Sequence, residues 1–490
     1  MIGRSWPRAD RRVSDRRLGK SDIHRRSTFG SCRRYADARD AMRRRDLSRH
    51  IEREFLSGFE RPAVTPEGTR RQVGFVVSLL LSATKSSEAN RRASAVVRPR
   101  TADLVLVTPD GVPIGRLSAV PVATPWWQDI EPVVRAVRNY HGVDVVVLRL
   151  FDTELEQPHG GRVTYLAEVP EPVPAQRWTG VLDDQPRRHA FARPGGPAAD
   201  LAWARAQLAA KGLRPTEPPI QVRTWNLSSV WRLPVEGQTA WLKVVPHFFA
   251  HEGPLLALMA GAPTPTLLGQ DGGRILLAEI AGEDLHEATL TQMLEMVTLL
   301  VSIQRQWADW LEDLVALGLP DWRAPALIPA IADVVDRTRH EISVVDRSKL
   351  ADFVRTLPGR FEEIAKCGLR DTLVHGDFHP GNFRGDEDTL TLLDWADSGV
   401  GHPLLDQPAF LTAISNETAG AVQAHWLQKW ADAIPGSNPA RASILLAPVA
   451  AARQAVIYRK FLDNIEPAEQ RYHQADPAKW LTTTVAHLRE

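Results

Sequence analysis

Cysteine is nearly missing from this 490-residue chain, where only Cys32 and Cys367 occur. Two thiols so far apart give neither a disulfide framework nor a metal-ligand spacing, which fits a reducing compartment. Long hydrophobic runs are also lacking. The longest near the start, Val73–Ala83, has 11 residues, short of the roughly 20 that a membrane span needs. It follows Arg70 and Arg71 but lies far from Met1, where a secretion signal would begin. The expectation is a cytoplasmic protein that does not engage a membrane. Lysine is scarce too, with 9 against 51 arginines, the bias that a GC-rich gene produces.

What is present is ordinary in bulk and uneven in detail. A hydrophobic content of 43% and a charged content of 24% are those of a soluble globular protein. The length allows two to four domains. The net charge of +1 conceals a basic start: residues 1–100 hold 25 Lys and Arg against 11 Asp and Glu, and the rest hold 35 against 48. The Arg-heavy, aliphatic-poor text of residues 1–100 reads as a disordered arm. It is a solvated tail, a nucleic-acid-binding arm, or text upstream of the true start. No aromatic series or zinc pattern accompanies it, so nucleic acid is not the expected partner.

From residue 101 the texture changes. "TADLVLVTPDGVPIGRL" reads as two strands around a turn, "WWQDIEPVVRAVRNYHG" as a helix carrying Asp129 and Glu131, and "VDVVVLRLFD" and "RVTYLAEVP" as two more strands. This ββαββ module, residues 101–178, loosely resembles a small Nudix-like fold. It lacks the glutamate-dense metal box of that family, so a structural or oligomerising cap is expected. A linker and helix follow over 179–215. A β-meander with a helix and a hairpin occupies 216–282, and helical patterns dominate 283–490. The expected fold class is α+β, a β-rich small lobe joined to a helical large lobe.

The chemistry concentrates in "LVHGDFHPGNF", Leu373–Phe383, too polar for a core strand and too rich in Gly and Pro for a helix. The short apolar strand "TLTLLDW" follows and ends on Asp394. Phosphoryl transfer from ATP asks little covalent chemistry of a protein: a carboxylate to take the attacking hydroxyl's proton, and oxygen ligands for Mg²⁺ on the phosphates. Asp377 suits the first task, Asn382 and Asp394 the second. His375, Gly376 and Gly381 read as loop-shaping residues, and Asp406 as a brace for the loop.

This pattern, His375-Gly376-Asp377 with Asn382 and then Asp394 at a strand end, resembles the aminoglycoside phosphotransferase and choline kinase family, relatives of the protein kinases. Average residue frequencies give the four loop residues at this spacing on the order of once in a thousand chains of this length. The resemblance implies a bilobal protein-kinase-like fold, ATP and Mg²⁺ as cofactors, and a hydroxyl-bearing small molecule as acceptor. It also implies a phosphate-binding small-lobe lysine paired with a helix glutamate. Lys243 in "TAWLKVV" fits, being the only lysine between Lys211 and Lys349, and Glu252 on the following helix is its candidate partner. The phosphate-covering hairpin "TWNLSSVWRL" offers Ser228 and Ser229 in place of glycines. Backbone groups around Glu279 to Ala281 suit the adenine-binding hinge.

Residues 283–490 hold 30 acidic and 19 basic residues. A negative cleft would concentrate amine-bearing acceptors such as aminoglycosides or amino sugars, with Asp463, Glu466 and Glu469 bordering it. The oligomeric state is open. Two other functions compete: a non-catalytic nucleotide sensor that reports through the 101–178 module, and a nucleic-acid-associated protein acting through the basic arm.

Overall fold

The computed structural model describes residues 98–488 apart from 157, 387 and 388. The basic arm, with Val73–Ala83 and Cys32, lies outside the described residues.

Four strands and one helix form the N-terminal module: β1 (Arg100–Val107), β2 (Pro113–Val122), α1 (Glu131–His141), β3 (Val146–Thr153) and β4 (Gly161–Glu168). The strand order is β2-β1-β4-β3, with β1 and β4 parallel. α1 begins at Glu131, so Asp129 precedes it, against the expectation that both carboxylates ride on the helix. Edge strand β3 would leave backbone groups unpaired. The Gln221 side chain covers part of that edge: it accepts from Val147 N at 2.9 Å and donates to Val147 O at 2.6 Å.

After α2 (Gly196–Ala210) comes an antiparallel sheet of β5 (Ile220–Trp225), β6 (Ser228–Val235), β7 (Gln238–Val244), β8 (Leu267–Asp271) and β9 (Arg274–Ala278), in the order β5-β6-β7-β9-β8. Alternation along β7 divides the work of the strand. Ala240, Leu242 and Val244 pack with Leu201, Ala204 and Leu208 of α2. Trp241 and Lys243 therefore point to the other face. The short helix α3 (Glu252–Leu258) lies between β7 and β8 in the chain.

The large lobe comprises α4 (Leu290–Trp307), α5 (Leu311–Ala316), α6 (Ala324–Thr338), α7 (Val344–Ala365), α8 (Gln407–Ala413), α9 (Asn416–Ala433), α10 (Pro439–Asn464) and α11 (Asp476–His487). α4 starts at a capping box, in which Thr289 and Gln292 satisfy each other's backbone N–H. α10 is long and apolar enough to cross a membrane by composition, but 56% of its apolar window is buried within the lobe, as in a core helix. Between α7 and α8 run the short strands β11 (Thr372–Val374), β12 (Phe383–Gly385), β13 (Leu390–Leu392) and β14 (Gly399–Gly401). β12 pairs with β13 and with the interlobe strand β10 (Glu283–Asp284), and β11 pairs with β14. The result is a bilobal, kinase-like α+β fold preceded by the ββαββ module.

Candidate active site

The loop between β11 and β12 is fixed from below. Asp406, fully buried, accepts from His375 N at 2.9 Å, Gly376 N at 2.7 Å and Gln304 Nε2 at 3.0 Å. Burial raises its carboxyl, and these N–H donors with Arg453 and His375 pull it back. His375 is also buried; its Nε2 meets Leu393 O at 2.9 Å and its Nδ1 accepts from Asp377 N at 3.3 Å. That pairing puts the proton on Nε2, and burial lowers the ring's basicity. His375 thus braces the loop.

Gly376 has φ +91°, and a Cβ there would stand 2.0 Å from Asp397 O. Only glycine fits such a position. Gly381 does not adopt positive φ; its hydrogen admits His286 and His379, whose ring atoms would crowd a Cβ at 2.8–3.0 Å. Close approach, and not a turn, calls for that glycine.

Asp377 is half-buried at the loop crest. Asn382 Nδ2 donates to Asp377 O at 2.8 Å and to Asp377 Oδ2 at 3.3 Å. His379 Nδ1 accepts from Gly381 N at 3.0 Å, and its Nε2 faces Asp377 Oδ2 at 3.6 Å. Asp394 follows β13 with φ 60° and ψ 67°, the only non-glycine residue with positive φ among the described residues. Aspartate tolerates that region better than most side chains, and such strain gathers at functional sites.

Lys243 Nζ donates to Glu252 Oε1 at 2.8 Å and to Asp394 Oδ1 at 2.7 Å. Burial pulls the ammonium down, but Asp394 and Glu252 outweigh it and hold it above the ordinary lysine range. Glu252 is pushed up by burial, against the pull of Lys243. The register sets Arg223 opposite Val230, and Val230 opposite Lys243, so both cations share one face of the sheet. Arg223 is held by Asp129 of the N-terminal module at 3.5 Å.

The other expected positions have partners or surroundings of their own. The Ser228 hydroxyl accepts from Trp225 Nε1 at 3.1 Å. That of Ser229 accepts from Trp231 Nε1 at 3.1 Å and Thr224 Oγ1 at 3.0 Å. Both serines are buried, and their hydroxyls bond side chains of the same sheet. Glu279 accepts from Trp241 Nε1 at 2.9 Å, and Ala281 is exposed. Trp241, two residues before Lys243 on the same face, escaped the sequence reading, although strand alternation placed it there. Asp397 ends the short turn Trp395–Asp397 that follows Asp394. Burial first, then the charges of Asp377 and Asp394, push its carboxyl up to about 8.

Among the described residues, no group of three or more His, Cys, Asp or Glu is arranged to hold a metal by itself. Asp394 and Asn382 offer one carboxylate and one amide oxygen. That hard-oxygen set suits Mg²⁺, which takes few protein ligands and completes its shell with phosphate and water.

A family model described as the phosphotransferase enzyme family matches residues 128–445. The chain belongs to that family. It is a small-molecule kinase. The matched span begins at Gln128, just before α1, and ends within α10. No curated protein sequence matches the chain. Among solved structures, the macrolide 2'-phosphotransferase of Brachybacterium faecium is 17% identical, with a TM-score of 0.41 over 56% of this chain and 96% of that one. The choline kinase of Streptococcus pneumoniae is 13% identical, with a TM-score of 0.43 over 59% and 98%. A GDP complex of aminoglycoside 2'-phosphotransferase-IIIa is 14% identical, with a TM-score of 0.40 over 59% and 97%.

Proposed function

We propose that this kinase transfers the γ-phosphoryl group of ATP, with Mg²⁺, to a hydroxyl of a small molecule. The observation that carries this reading is Lys243 held at 2.7–2.8 Å by Asp394 and Glu252, on a family-matched chain whose Asp377–Asn382 pair belongs to the same loop-and-strand unit. Asp377 takes the proton of the attacking hydroxyl as its oxygen forms the new P–O bond and ADP departs. The crest position and half-buried state of Asp377 leave its carboxylate able to meet that proton, while His379 Nε2–H steadies it. Lys243 neutralises the α- and β-phosphates, and Glu252 keeps its ammonium aimed. The base lies against the Glu279–Ala281 backbone at the link between the lobes. Mg²⁺, held by Asp394 and Asn382, supplies charge neutralisation on the phosphates.

The experiment is a screen of hydroxylated amines, sugars and acids with Mg·ATP, read by mass spectrometry for the gain of one phosphate. Phosphorylated product that vanishes in Asp377→Ala supports the reading. Tight Mg·ATP binding with no ATP consumption across the panel overturns it in favour of a nucleotide sensor.

A further inference from the structure

Helix α10 presents two cations to the catalytic loop from one face. Arg453 and Lys460 are seven residues apart, two turns and about 10 Å along the axis. Arg453 is fully buried and donates to Gly376 O at 3.3 Å, with Asp406, Asp397 and Asp377 as its charged neighbours. Lys460 is half-buried, and among the described residues no carboxylate lies within ion-pair distance of it. The charged or titratable groups within its electrostatic reach are Asp397 and His251. Tyr458, five residues after Arg453 and two before Lys460 on the same helix, stands within reach of Asp377 and Asp397.

The carboxylates expected to border the acceptor are committed elsewhere. Asp463 binds Arg337 at 2.6 Å, and Glu466 binds Arg188 at 2.7 Å. Glu469 accepts from Leu150 N at 2.8 Å. These three carboxylates are therefore engaged within the protein. A half-buried ammonium without a close counter-ion is costly, and an oxyanion that reaches it gains charge-assisted hydrogen bonds.

Resting on the phosphotransfer reading above, we propose that Lys460 binds an oxyanion, carboxylate or phosphate, carried by the acceptor whose hydroxyl Asp377 activates. The acceptors are then hydroxy acids or phosphorylated polyols, and not polyamines. Lys460 acts as a specificity residue: it fixes the acceptor's charged end and leaves the hydroxyl to Asp377.

Two matched sets test this with the full chain and Mg·ATP: glucose, glucosamine, glucuronate and glucose 6-phosphate, and glycerol, 2-amino-1,3-propanediol, glycerate and glycerol 3-phosphate. An anionic member of either set should exceed its neutral and amine partners in kcat/KM by roughly tenfold or more. Glucuronate and glycerate against the phosphates decide which oxyanion is preferred. Lys460→Met should erase the preference through KM, and Lys460→Arg should retain most of it. Where no member turns over, calorimetric binding to the complex with a non-hydrolysable ATP analogue is read by the same criterion. Preference for a neutral or amine member, no preference, or a preference that survives in Lys460→Met overturns the proposal. A chain that hydrolyses Mg·ATP but shows no anion preference defeats this proposal alone. One that does not bind Mg·ATP defeats the phosphotransfer reading as well.

Discussion

Lys243 Nζ lies 2.7 Å from Asp394 Oδ1, although 151 positions separate the two in the chain. One ammonium on a small-lobe strand thereby serves two acids, Asp394 after β13 and Glu252 on α3. The Lys243 and Glu252 side chains are only 7% and 3% exposed, so neither charge is well screened by water. The arrangement couples the lobes electrostatically before any ligand arrives.

Replacing that ammonium leaves two acids without their counter-charge. Lys243→Met should lower stability by roughly 3 kcal/mol, the order found when one partner of a buried ion pair is removed. Urea unfolding measures it. Adding Glu252→Gln to Lys243→Met should recover part of the loss, and an equal or larger loss in the double variant counts against the shared-ammonium account.

The base assignment gives a kinetic split. A positioned base contributes about 10²–10⁴-fold, so Asp377→Ala should lower kcat by at least about 10²-fold. Its affinity for Mg·ATP, read by titration, should stay close to that of the wild type. A large loss of nucleotide affinity with little change in turnover assigns Asp377 to binding instead.

Gly376→Ala places a Cβ 2.0 Å from Asp397 O at φ +91°. The loop must shift, at a cost of at least about 1 kcal/mol. Turnover should fall while affinity for Mg·ATP stays close to that of the wild type, which steady-state kinetics beside ATP titration distinguishes.

Glu469 yields a pH prediction away from the cleft. Burial, then the neighbouring Glu466 charge, push its carboxyl up to about 8 from an ordinary 4.5, against the opposing Leu150 N–H. The folded chain therefore binds this proton more tightly than the unfolded chain. The resulting stability is fully present below pH 4.5 and is lost as pH rises through about 8. Glu469→Gln removes the ionisation but keeps an oxygen for Leu150 N. Thermal melting from pH 5 to 9 should show a smaller decline for Glu469→Gln than for the wild type.

The catalytic loop was legible because its chemistry is local: fixed spacing from His375 to Asn382, then an apolar strand ending on Asp394. Lys243 stood out as a lone lysine in an apolar strand, and Glu252 lay only nine residues away. The hydroxyl partners of Ser228 and Ser229, tryptophans of the same sheet, were not legible because sequence gives no hydroxyl direction. The ion pairs of Asp463 and Glu466 were not legible because Arg337 and Arg188 lie 126 and 278 positions distant, beyond any local periodicity. Arg453 carried a signal that went unused, a single charge inside the apolar stretch of α10.

Arg384, on β12 beside the catalytic loop, donates to the Ile280 and Gly282 carbonyls and to Asp284 Oδ1. The connection between lobes is therefore clamped to the large lobe from Ile280 onward. Upstream of the clamp lies Glu279, whose carboxylate accepts from Trp241 Nε1, so the stretch between Ala278 and Ile280 is where the clamp leaves the upper sheet freedom. Motion there would shift the indole and the ammonium of Lys243 together, as parts of a single lever.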